Sequence, residues 1–176
     1  MSKPNAALTE LPVNIQPDNP LWRYALAQWQ NPDLARDCLE LQSSGWSVTR
    51  ILCAGWLGNQ GCPFSGFEGA TVTEWRSRVT GSIRNARKAI PRSHGDCEAL
   101  REALAAAELQ AERIELALAW QTLKNLTPEN GTVPEPVTQI RQNLVAAAPC
   151  DSLPVDTAEL LDSLACQLAG AQPGGT

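Results

Sequence analysis

One histidine, His94, stands among 176 residues. Nucleophilic catalysis of the usual kind needs a nucleophile, a base and a group that orients the base, and with a single imidazole a lysine or carboxylate would have to serve as base. His94 lies in Pro91-Arg92-Ser93-His94-Gly95-Asp96-Cys97, which reads first as a turn with capping residues between two helices. The six cysteines (Cys38, Cys53, Cys62, Cys97, Cys150, Cys166) form no Cys-x-x-Cys pair. His94 and Cys97 alone fall short of the four ligands of a structural zinc site, so the cysteines read as reduced thiols used as small apolar side chains. Asp33 and Asp37 share a helix side with Arg36 beside them, the pattern of a solvated face. The aspartate-rich motifs of prenyl-transferring helical enzymes, the Glu-x-x-His pairs of di-iron bundles and a phosphate loop ending in Lys-Ser or Lys-Thr are all missing from the sequence. These patterns name no catalytic, metal or cofactor-binding residue, and no cofactor is expected.

Residues that could do recognition are better represented. Between 73 and 92, Arg76, Arg78, Arg84, Arg87, Lys88 and Arg92 face only Glu74, a segment of about +5 in a chain of net charge −5. The segment after it offers Glu98, Glu102, Glu108, Glu112 and Glu115, with Arg101 and Arg113 between. One reading is an ion-pair lattice that sets helix register, each exposed pair contributing about 0–1 kcal/mol. In the other, Arg76, Arg84, Arg87 and Lys88 hold an acidic partner, RNA phosphate or an anionic ligand, because guanidinium forks suit planar anions. Six tryptophans beside two Phe and one Tyr form a second group. Core packing is their first reading, and a pocket lined by Trp22, Trp29, Trp56 and Trp75 is the alternative. The negative net charge opposes indiscriminate binding to nucleic acid or anionic lipid.

The elements that must position these residues are all helical. The period predicts an all-α fold: a single bundle of about five core helices with a long antiparallel hairpin, plus two weaker C-terminal helices. Asn19-Pro20 and Asn31-Pro32 are two successive cap-and-start signals, with Gly45 as the second stop. Ser47 caps a third helix to about Gly58, apolar on nearly every side and so placed in the core. Residues 59–72 hold Gly61, Gly66, Gly69 and Pro63, a loop expected to fold back with Phe64 and Phe67 tucked in. A fourth helix runs from Thr73 to Ile90 on the stripe Val72, Trp75, Val79, Ile83, Ala86, Ile90. A fifth runs from about Asp96 to Leu126 on Leu100, Leu104, Ala107, Ala111, Ile114, Leu118. Residues 1–18 are expected to be a flexible arm, 19–126 the helical core domain, and 127–176 a proline-rich hinge with a helical extension over about 135–148 and 156–169 and a frayed end at 173–176. No apolar run reaches the roughly 20 residues of a membrane span and no secretory leader is seen, so a cytoplasmic protein is expected.

Three stretches together resemble a family of uncharacterised, all-helical bacterial proteins, mostly of Gram-negative species, catalogued as a domain of unknown function. They are Asn19-Pro20-Leu21-Trp22-Arg23-Tyr24-Ala25-Leu26 with Cys38-Leu39-Glu40-Leu41-Gln42; Trp75-Arg76 with Val79, Ile83, Arg84, Ala86, Arg87 and Lys88; and Glu108-Leu109-Gln110-Ala111-Glu112-Arg113-Ile114-Glu115. The likeness spans roughly residues 19–120. Where the family pattern carries a proline before its arginine cluster, this chain has Gly81 and Ser82. The resemblance implies a helical fold and supplies no catalytic residue. Residues and resemblance together lead to a non-enzymatic interaction or adaptor module, its partner another protein. A Trp-lined small-molecule-binding or enzymatic bundle stays open, as does RNA or ribosome-associated binding through 73–92, which is not favoured. Oligomeric state has no signal in the sequence.

Overall fold

Three side chains start the first three helices. The Asn19 carboxamide accepts from the Trp22 amide at 2.9 Å ahead of α1 (Pro20–Gln28). Asn31 accepts from the Asp33 and Leu34 amides at 3.0 and 3.4 Å ahead of α2 (Pro32–Ser43), and Ser47 accepts from Arg50 ahead of α3 (Val48–Asn59). Each satisfies an amide that the first helical turn leaves unpaired. Then follow α4 (Ala70–Trp75), a π turn (Arg76–Thr80), α5 (Gly81–Ala89), a 3₁₀ turn (Gly95–Cys97), α6 (Glu98–Leu123), α7 (Pro136–Ala146) and α8 (Val155–Gly170). This computed structural model describes residues 8, 10–128, 131, 134–150 and 153–170; among them there is no strand, and no helix is long and apolar enough to cross a membrane. The expected flexibility of the first seven residues and the fraying of 173–176 lie outside the described residues.

The chain resolves into two compact units where the sequence predicts one core domain and an appendage. The first comprises 1–17 and 68–119; the second comprises 18–67 and 120–176. α7 and α8 group with the helices at the start of the chain, and α6 itself contributes its last turn to that second unit.

In the second unit, α3 is the centre, with Ile51, Leu52, Cys53, Ala54 and Leu57 all buried. Both C-terminal helices lie against it. Glycines permit this approach. A Cβ at Gly58 would stand 2.4 Å from Ile140 Cγ1 and 2.9 Å from Ile140 Cα on α7, and one at Gly55 would stand 3.1 Å from both Leu168 methyls on α8 and 2.5 Å from the Tyr24 hydroxyl. Ile140, Leu144, Leu161, Leu164 and Leu168 are fully buried as a result. Asn143 on α7 fills its hydrogen-bonding capacity. Its amide donates to Ala54 O and Cys62 O at 3.1 and 3.0 Å, and its carbonyl accepts from Phe64 N at 2.8 Å and Gln139 Nε2 at 3.0 Å. Arg50 closes the C-terminal end of α7, donating to Ala147 O, Ala146 O and Gly66 O at 3.0, 2.9 and 2.9 Å with its guanidinium over the Phe64 ring. A cation placed on the terminal carbonyls also complements the helix dipole.

Two apolar expectations are corrected. Phe64 is buried, but Phe67 is 73% exposed, because Gly66 (φ +78°) turns the chain outward between them. The sequence pattern Leu34, Cys38, Leu39, Leu41 predicts the buried side of α2, yet Leu39 is exposed and that side is filled by Leu34, Asp37, Cys38 and Leu41.

The glycine contact gives a direct test. Gly58→Ala is expected to cost about 1–3 kcal/mol, since its methyl meets backbone as well as side chain. For a chain of this size, thermal melts should show a fall of roughly 2–4 °C per kcal/mol. Gly95→Ala, with nothing within 4 Å of its Cβ, should leave the midpoint within about a degree.

Candidate functional site

The basic segment and the acidic helix face each other within the first unit. Arg76 sits in the π turn. Its fork donates from Nη1 and Nη2 to both Glu68 oxygens at 2.8 and 2.6 Å, and its Nε donates to Glu115 at 2.6 Å. On α5, Arg84 donates to Glu108 and Glu112, both at 2.8 Å, and Arg87 donates to the second Glu108 oxygen at 2.5 Å. Arg101 on α6 reaches back to Ile90 O at 2.5 Å, covering the carbonyl end of α5. The Trp75 indole N–H donates to Ala111 O at 2.9 Å. Partners that rise in number on one helix fall on the other, so the pair is antiparallel, as the sequence predicts.

The π turn explains how arginines eight residues apart reach one face. In a regular helix Arg76 and Arg84 would diverge by roughly 80° at about 100° per residue. The extra residue of a π turn absorbs about that angle. Its geometry is visible at Gly81, whose amide donates to Arg76 O five residues back and whose added Cβ would lie 3.0 Å from that carbonyl. The predicted uninterrupted helix 73–90 is thus corrected: it starts at Ala70 and is interrupted by this turn.

Glu115 and Glu108 are almost fully buried, at 2% and 7% exposure, and the three arginine side chains retain only 20–23%. Burial alone would raise the Glu108 pKa, but hydrogen bonds from Arg87 and Arg84 overcome that and hold it below the ordinary carboxylate value. Burial likewise opposes the Arg76 charge, and Glu68 and Glu115 outweigh it, so its pKa stands above the usual guanidinium value. Glu112 differs. Desolvation, supported by the charges of Glu108 and Glu115, outweighs its single guanidinium and raises its pKa. Four carboxylates share three guanidiniums here, and Glu112 bears the surplus.

Of the four residues singled out for anion or partner binding, Arg76, Arg84 and Arg87 are engaged by these glutamates, while Lys88 is exposed and makes no ion pair among the described residues. Glu68 is the member of the lattice that sequence reading missed. It lies in an aperiodic Gly-rich loop, where no spacing marks an arginine partner. Among the described residues, no group of three His, Cys, Asp or Glu is arranged to hold a metal.

The four tryptophans read as pocket lining fall in different units: Trp75 in the first, Trp22, Trp29 and Trp56 in the second. Trp56 is half-buried on α3. On α1, Trp22, Leu26 and Trp29 recur at i, i+4 and i+7 along one side, bordering the buried Leu21, Tyr24, Ala25 and Gln28. The stripe is open to solvent, with Leu26 46% and Trp29 41% exposed and Trp22 half-buried. The apolar face that the sequence pattern predicts for the first helix, Leu21, Trp22, Ala25, Leu26 and Trp29, is therefore only partly a core face.

Two measurements follow. A double-mutant cycle of Arg84→Ala and Glu108→Ala should give a coupling of about 1–3 kcal/mol in denaturant unfolding; additive costs would mean the two groups do not act as a pair. In a pH series of thermal midpoints, Glu112 and Glu108 act with opposite signs. Glu112, raised in the fold, lowers stability at neutral pH, so the midpoint should hold or rise as pH falls towards the ordinary value of 4.5. Glu108, depressed in the fold, contributes stability above its unfolded pKa, which is lost as pH drops below 4.5 through its folded value. Glu112→Gln should raise the neutral-pH midpoint and flatten the upper limb only.

Residues 20–119, 100 of the 176, match the model of a family described as protein of unknown function (DUF2390), and the chain belongs to that family. This agrees with the likeness read from the sequence over 19–120. No curated protein and no solved structure matches the chain.

Proposed function

We propose that this member of a family of unknown function is a non-enzymatic cytoplasmic interaction module that binds another protein through the α1 stripe of Trp22, Leu26 and Trp29. The observation that carries this reading is the exposure of Leu26 and Trp29 at helical spacing beside Trp22. Large apolar side chains lose most by facing water, and tryptophan is the residue most enriched where partners contribute binding energy. An i, i+4, i+7 stripe is also the form in which a helix presents itself to an apolar groove. The arginine lattice supports the same reading from the other direction. Guanidiniums already bonded to buried glutamates would have to break those pairs to accept RNA phosphate or a free anion, at the cost of leaving carboxylates buried and unpaired.

The test is a photo-crosslinking amino acid placed at position 30, next to the stripe, in cells. Leu26→Asp with Trp29→Asp should abolish the protein crosslinks with far-ultraviolet dichroism unchanged; since 46% of Leu26 and 41% of Trp29 is exposed, the covered remainder makes some loss of stability part of the expected result. Crosslinks that persist unchanged in the double variant would overturn the proposal. So would crosslinks to RNA that vanish with Lys88→Glu.

A further inference from the structure

The first unit carries a second apolar surface with different chemistry. On α5, Arg84 and Arg87 point at α6; Ile83, Ala86 and the following Ile90 lie about a quarter turn away. On α6, Glu108 and Glu112 point at α5; Leu100, Ala103, Leu104 and Ala107 lie about a quarter turn away. Because the helices are antiparallel, both sets fall on the same side of the hairpin. Leu100 is 55% exposed, Ala86, Ala103 and Ala107 are exposed, and Ile83, Ile90 and Leu104 are half-buried. Further down the same stripe, Ala111 and Leu118 are buried. The apolar seam therefore begins covered and ends open. No residue of α5 is buried at all, although a helix of nine residues owes its stability to burial of one face and not to propensity.

We propose that this open end of the seam is where two copies of the chain associate, face to face about a two-fold axis, as a four-helix arrangement. Three features select a second copy. The face carries no ionisable side chain, so a charged partner finds no counter-charge on it. The hairpin is also close to neutral: between 70 and 119 there are eight basic and seven acidic residues, net +1, in a chain of net −5. Two acidic copies repel least where they meet through this segment. Finally, the large Ile83, Ile90, Leu100 and Leu104 alternate with the small Ala86, Ala103 and Ala107, so a two-fold operation sets the ridges of one copy into the hollows of the other. The area sets the strength. A nine-residue helix is roughly 14 Å long and two helices side by side are about 20 Å wide, a footprint of roughly 300 Å². Stable complexes bury about 800 Å² per partner, so the association is weak and reversible. It is independent of the α1 stripe.

Sedimentation velocity of the full chain, from low micromolar to near-millimolar concentration, tests it. The mean mass should climb from 19.0 kDa towards twice that value. Leu100→Glu with Ala103→Glu should weaken association at least tenfold with far-ultraviolet dichroism unchanged, and a photo-crosslinker at Ala107 should give a band of two chains joined within residues 83–107. If the double variant loses helicity, Leu100→Ser and the crosslink decide. A mass of 19.0 kDa at every concentration overturns the proposal, as does wild-type association in the helical double variant or a crosslink landing outside the hairpin. Leu26→Asp with Trp29→Asp should associate like the wild type. Loss of association in that variant would move the contact to α1 and sink the hairpin, while a monomer whose α1 crosslinks persist would leave the α1 reading standing.

Discussion

Two carboxylates buried inside a helical hairpin constrain the first unit. Placing Glu115 and Glu108 out of water costs several kcal/mol each unless fixed cations and hydrogen bonds offset it. Arg76, Arg84 and Arg87 supply both, and each can do so only from one axial position and one rotation of its helix. A slip of one residue would leave a carboxylate unpaired in the interior, so the lattice sets register where an apolar seam of alanines would tolerate sliding. The same demand accounts for the π turn, which brings Arg76 round to the face that Arg84 already occupies. It also draws Glu68 out of a glycine-rich loop onto the Arg76 fork.

The second unit is governed by shape. Removing Cβ atoms at Gly55 and Gly58 brings α7 and α8 close enough to α3 for a continuous leucine and isoleucine core. Polar groups enclosed by so close a contact are stabilised by protein partners. The Asn143 carboxamide and the Arg50 guanidinium provide partners for the Ala54 carbonyl within α3, for the Cys62 and Gly66 carbonyls and the Phe64 amide in the following loop, and for the carbonyls at the end of α7. A charge lattice and a glycine-permitted core are different solutions to helix packing, and one chain uses each in a separate unit.

These solutions bear on recognition. Cations that look available in a sequence count become internal struts when buried acids claim them, and a chain with several arginines on one helix need not bind anions. What each unit leaves uncovered is apolar surface: a tryptophan and leucine stripe beside the core of one, and the open end of a hairpin seam in the other.

Most of the local structure is legible in the order of residues alone. The caps at Asn19, Asn31 and Ser47, the buried character of Ile51 to Leu57, and the antiparallel pairing of a basic with an acidic helix rest on near-neighbour physics that periodicity and composition express directly. Leu26, Trp29, Leu39 and Leu100 look as core-like in sequence as Leu21 or Leu34, because a helical stripe reports which side is apolar and not whether anything covers it. Coverage, the π turn, the recruitment of Glu68 and the docking of α7 and α8 on α3 are long-range outcomes. They follow from the folded packing, because each depends on which distant backbone comes close enough, as at Gly58 and Ile140, to cover a side chain or complete an ion pair.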